Sequence, residues 1–147
     1  MRKILLSEGD ITAADADAIV LPSCVGHRPP AAGDAEVCPA GDLPARVVIH
    51  AAAAAGVAAL ATAMRASFAL ARERGLSSIA LPALGVGPGL SLQAAAEVML
   101  GEARRHLAEP TSLEHVRFVL DGEPAYRVFE LVNDAERVRE GLARLRR

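Results

Sequence analysis

The sequence predicts a layered α/β fold, a sheet flanked by helices, and three observations carry that prediction. Short runs of β-forming residues recur at 3–6, 18–21, 47–50, 79–81 and 116–120, with 36–38 a weaker candidate, each bounded by turn residues. Several are apolar at nearly every position instead of alternating, as strands are when both faces of their sheet are covered. Stretches of helical period separate and follow the later runs. Five or six strands are therefore expected, and a length of 147 residues suits one domain over residues 1–147.

Each helix can be placed by its apolar face and its ends. Over residues 57–74, Val57, Leu60, Met64, Phe68 and Ala71 recur at spacings of three and four, and Gly75 supplies the stop. A second helix begins after Ser91 as N-cap, turns Leu92, Ala95, Ala96, Met99, Ala103 and Leu107 inward, and ends before Pro110. A third begins near Pro124, with Ala125, Phe129 and Val132 on one face. Residues 134–147 read as a further amphipathic helix, with Val138, Leu142 and Leu145 apolar and arginines outside.

Composition narrows the function classes. Aromatic residues are 3% of the chain and Trp is absent, so tight aliphatic and alanine packing has to supply stability. Lys3 is the only lysine and the formal charge is −2, which gives no global attraction for nucleic acid. The N-terminal apolar stretch, Ile4-Leu5-Leu6, is far shorter than a signal peptide core or a membrane span, so no membrane partner and a cytoplasmic location are expected. Two cysteines are too few for a disulfide framework; they leave one bridge open, and free thiols are the expected state.

Residues 22–34 hold three prolines and two glycines and are expected to form a loop. Cys24 and His27 have C-x2-H spacing and Cys38 falls eleven residues after His27, giving three potential zinc ligands without a fourth. No metal and no cofactor are assigned on that basis. His106 and His115 have no acidic or nucleophilic partner nearby in sequence, and surface positions are expected for both.

The loop Gly85-Val86-Gly87-Pro88-Gly89-Leu90 lies between a strand and a helix N-terminus, where free amides and the helix dipole favour a diphosphate. It has neither the Gly-Lys-Ser/Thr of a Walker loop nor the G-x-G-x-x-G of a dinucleotide fold. Together with Gly9-Asp10-Ile11-Thr12, the passage Pro39-Ala40-Gly41-Asp42 leading to Val47-Val48-Ile49-His50, and Ile79-Ala80-Leu81-Pro82-Ala83-Leu84, in this order, it resembles the macro domain family, the ADP-ribose-binding fold. The resemblance implies a three-layer sandwich around a mixed six-stranded sheet. It also implies that Asp10 accepts from the adenine amino group with help from the Ile11 amide, that Gly85, Val86, Gly87, Gly89 and Leu90 seat phosphate, and that His50 is a packed strand histidine.

The departures from the family pattern are as informative. Leu21-Pro22-Ser23 stands where the family has a strand-end Asn and a glycine-rich phosphate loop, and Asp121 where an aromatic packs on adenine. The first crossover helix is replaced by the 22–34 loop, and Pro88 lacks an N–H. The resemblance thus implies a module for ADP-ribose or a related adenine nucleotide that binds weakly. The alternative is a degenerate domain serving in protein assembly. No catalytic residue can be carried over, which argues against an ADP-ribosyl hydrolase or phosphatase. Loss of the crossover helix should bare one sheet face, to be covered by a homodimer partner or by the 134–147 helix folding back.

Overall fold

Six strands form one sheet in the computed structural model, which describes residues 2–24 and 26–146. They are β1 (Lys3–Glu8), β2 (Ala18–Leu21), β3 (Ala35–Cys38), β4 (Val47–Ala51), β5 (Ser78–Leu81) and β6 (His115–Leu120). The order across the sheet is β1-β6-β5-β2-β4-β3, with β3 antiparallel to β4 and the other pairs parallel. The weak run at 36–38 is therefore a strand, at an edge where short strands are common.

Three helices follow: α1 (Val57–Glu73), α2 (Leu92–Leu107) and α3 (Glu123–Leu145). The connections through α1 and α2 both step toward β1, so right-handed crossovers place both on the same face of the sheet. The burial pattern agrees. Ala18, Val20, Ile79, Leu81, Val116, Phe118 and Leu120 pack against Leu60, Met64 and Phe68 of α1, Met99 and Leu100 of α2, and Phe129 and Val132 of α3. Ion pairs join the helices at their outer edges. Arg65 makes a two-pronged contact with Glu102, and Arg104 reaches Glu136, Glu140 and the Asn133 side chain.

Three expectations need correction here. Val57 is 51% exposed, because the first turn of α1 begins beyond the end of β4. The two C-terminal helices are one, since between Pro124 and Leu145 only Gly141 disfavours helix, at about 1 kcal/mol. The cysteines are not free: Cys24 and Cys38 form a disulfide. A bond between residues 14 apart was not legible because strand β3 had to be placed before Cys38 could be seen facing the loop.

The opposite face is not bare, and the C-terminal helix does not cover it. Ile19, Ala80 and Val119 are buried there beneath Ala14, with Ile11, Ala16, Leu43 and Ala45 around them. The covering layer is the segment around a 3-10 turn at Ile11–Ala13 and the segment before β4, while the start of the 22–34 loop lies over Cys38 and His50 at the β3 edge. That loop is fastened by the disulfide, by His27 Nδ1 lying 3.2 Å from His50 Nδ1, and by Gly33, whose N–H donates to Ala52 O. Gly33 has φ +84°, a conformation that favours glycine, and a Cβ there would lie 2.4 Å from Thr62 Oγ1, so the hydroxyl would have to turn away.

Candidate functional site

Strands β2, β4 and β5 end side by side, and the chain leaves them through residue 22, residues 52–56 and residues 82–91. Crevices at the carboxyl ends of parallel strands are the usual ligand sites of open α/β sheets. Two contiguous cavities open there, of about 350 and 380 Å³, sharing Pro22, Ala54 and Gly85. The first is lined by Ala83 to Leu90 with Ala54 and Gly56, the second by Pro29, Pro30, Ala32, His50 and the alanines after β4. The glycine loop expected to seat phosphate thus forms one wall. The alanine run at 51–55, read from sequence only as close packing, forms another, and its small side chains are what leave the space.

Gly85 holds the two walls together. Its φ is +74°, and a Cβ would lie 2.7 Å from Ala53 O. Beyond it the chain makes a tight turn in which Gly87 N–H donates to Leu90 O and Leu90 N–H to Gly87 O, each at 3.1 Å. Those two amides are occupied, and Pro88 has none. The N–H groups of Gly85, Val86 and Gly89 donate to no backbone carbonyl among the described residues. α1 begins at Gly56 with no side-chain cap, so its first-turn amides also lack a side-chain acceptor at the edge of the crevice. α2 is capped by Ser91, whose Oγ accepts from Ala94 N at 3.1 Å. Neither cavity is lined by Lys or Arg, so attraction for an anion rests on amides and helix dipoles.

Asp10 lies after β1, two strands from β5, on the same edge of the sheet, at a lateral distance of about 10 Å for two strand spacings. Its Oδ1 accepts from Thr12 Oγ1 at 2.7 Å and Thr12 N at 2.9 Å, capping the 3-10 turn. These bonds, the hydroxyl's first, hold the carboxyl below the usual carboxylate range. Oδ2 accepts no hydrogen bond among the described residues. Neither Asp10 nor Ile11 lines the two cavities.

The histidines divide by environment. His50 is 2% exposed, on β4, against His27. His106, expected at the surface, is half-buried there; it stacks on Phe68 with ring centroids 5.2 Å apart and contacts Thr111 Oγ1 at 2.8 Å. Burial pushes its pKa down. His115 is exposed. A larger surface cavity, about 540 Å³, lies elsewhere, between the start of β1, the end of α2 and α3. Two of its four cations are engaged: Arg104 is paired with Glu136 and Glu140, and Arg2 donates to the carbonyls of Leu107 and Glu109.

The profile of the Macro domain family matches residues 22–99, more than half of the chain, and the chain belongs to that family. An uncharacterized protein of Mycobacterium tuberculosis is 42% identical over 105 residues, which cover 66% of this chain and 28% of that protein. The chain thus spans little more than a quarter of that mycobacterial relative. An uncharacterized protein of Sulfolobus acidocaldarius is 32% identical over 166 aligned positions, 90% of this chain and 91% of its own. Among solved structures, the Trypanosoma brucei macrodomain in complex with ADP superposes with a TM-score of 0.80 at 26% identity, covering 88% of this chain and 68% of that one. The Oceanobacillus iheyensis macrodomain with ADP gives 0.78 at 20% identity, covering 91% of each chain, and supports the fold alone. The α/β sandwich and mixed sheet expected from the resemblance are those of this family.

Proposed function

We propose that the chain is a single macro domain over residues 1–147 that binds ADP-ribose or a related adenine nucleotide weakly. The observation that carries this is the crevice at the ends of β2, β4 and β5, where the Gly85–Leu90 loop and the uncapped start of α1 present amide groups with no competing partner. The phosphates lie against Gly85, Val86 and Gly89, with Gly87 and Leu90 shaping the turn. Adenine lies toward Asp10, whose free Oδ2 accepts from its amino group, and the Ile11 amide. The T. brucei macrodomain, at 26% identity, has been solved with ADP and with ADP-ribose, which supports the ligand class.

Weak binding follows from the donors that are missing. No phosphate loop follows β2, two amides of the remaining loop are spent in its turn, and no cation lines the crevice. Two lost contacts at about 1.5 to 3 kcal/mol each place affinity some two to four powers of ten below a fully equipped site. The reading assigns no hydrolytic step to any residue. Calorimetry with ADP-ribose, ADP and AMP tests it, and Asp10→Ala should weaken all three by about tenfold. An unchanged affinity in that variant removes Asp10 from the site.

A second reading, self-association, is favoured by α3. Val128, Leu131, Ala135, Val138, Leu142 and Leu145 alternate at spacings of three and four, the seam of a two-stranded coiled coil. Leu131, Val138, Leu142 and Leu145 are 63%, 62%, 50% and 83% exposed. In a parallel pair Asp134 of one copy lies opposite Arg139 of the other, whereas an antiparallel pair sets like charges together. A second copy of this chain is therefore the proposed occupant of the seam. A cytoplasmic location, also proposed, would expose Cys24 and Cys38 to reducing thiol pools.

A further inference from the structure

We propose that, with its cysteines reduced, this chain binds one Zn²⁺ through Cys24, His27, Cys38 and His50. The four side chains come from three elements brought together on the sheet face opposite the helices. Cys38 and His50 lie on adjacent strands: Cys38 is opposite Val48 and Glu36 opposite His50, so both ligands project from the same face as diagonal neighbours, about 7 Å apart at Cβ. The loop brings the other two. Its turn is closed by His27 N–H donating to Cys24 O at 3.1 Å, which sets the members of the C-x2-H pair side by side, Cys24 on Cys38 and His27 on His50.

The imidazole geometry fits a shared ion. The two Nδ1 atoms are 3.2 Å apart, and two nitrogens bound tetrahedrally to one zinc at its usual bond length are separated by about 3.3 Å. His27 Nε2 lies 3.5 Å from Glu36 Oε2, so the tautomer protonated at Nε2 would face the carboxylate and leave the Nδ1 lone pair toward His50. A carboxylate fixing the tautomer of a ligating histidine is the usual outer partner of a zinc site. Two thiolates and two imidazoles in a tetrahedral arrangement select zinc over harder cations. The sequence offered three ligands without a fourth; His50 was hidden because only the strand register places it beside Cys38.

In the disulfide form no group of three such side chains among the described residues stands ready for a metal. Reduction by a dithiol supplies two electrons and two protons, breaks the sulfur–sulfur bond to give two thiols, and leaves the reagent as its own disulfide. Zinc then binds both sulfurs and releases the two thiol protons. Zinc and disulfide are thus alternative clasps for the 22–34 loop, and the inference does not depend on nucleotide binding.

The test uses the full chain, reduced with dithiothreitol, desalted without oxygen and titrated with Zn²⁺ or Co²⁺ alone. The expected results are one zinc retained per reduced chain, none per oxidised chain, and a tetrahedral cobalt spectrum with a thiolate charge-transfer band. His27→Ala, altering a half-buried loop residue, should weaken zinc by about a hundredfold or more, and Glu36→Gln by about tenfold. No zinc retained by the reduced chain overturns the proposal. So does a cobalt spectrum and affinity unchanged in His27→Ala, a variant whose folding is checked by its circular dichroism.

Discussion

Asp17, just before β2, shows how one residue ties the sheet to a loop. Its carboxylate accepts from Ser77 N and Ser77 Oγ, both at 2.9 Å, and its carbonyl accepts from Arg46 and Val47. Asp17→Ala removes both of these hydrogen bonds, which share Oδ2, and should cost about 1 to 3 kcal/mol in urea unfolding. The bond from the Ser77 amide is the main reason the carboxyl is held below its usual range. Because the folded pKa is the lower one, this stabilisation is complete above about pH 4 and is lost as pH falls through the folded value. The acid limb of the stability curve should therefore be shallower in Asp17→Ala than in the parent chain. His106 works in the same direction at higher pH. Burial favours its neutral form, so stability should begin to fall below about pH 6.5, and His106→Phe should remove that part of the slope. Gly85→Ala meets both a left-handed φ and Ala53 O, and a loss of about 2 kcal/mol or more is expected in thermal unfolding.

At the scale of elements, α2 and α3 are locked by Arg104, whose contacts with Glu136 and Asn133 are largely shielded from solvent while Glu140 is half exposed. Arg104→Ala leaves Glu136 without its partner and should cost about 2 to 3 kcal/mol. Glu140→Ala should cost under about 1 kcal/mol. The exposed seam of α3 predicts a mass near twice 15.3 kDa by light scattering, returned to 15.3 kDa by Val138→Glu with no loss of fold. A mass of 15.3 kDa for the parent chain would sink the dimer. The strands and the first two helices were legible because their apolar periods and stops are local. α3 was split in two because the contacts of its two halves differ: Phe129 and Val132 are buried, while Val138 and Leu142 are exposed. The glycine loop was legible as the turn between β5 and α2, but the pairing of Gly87 with Leu90, which consumes two of its amides, depends on a turn that composition does not specify.

For the whole molecule, replacing the first crossover helix by a fastened loop has two consequences. The sheet face it would have covered is closed by short segments, and the crevice at the strand ends keeps its β4 and β5 walls while lacking donors after β2. The domain is accordingly a macro fold whose strand-end crevice is walled by the segments after β4 and β5, held in shape where Gly85 permits their close approach. Calorimetric titration of the full chain with ADP-ribose tests that account most directly. It predicts saturable one-to-one binding within millimolar ligand, weakened about tenfold by Asp10→Ala. No heat at millimolar ADP-ribose, from a chain whose folding is intact, would contradict it.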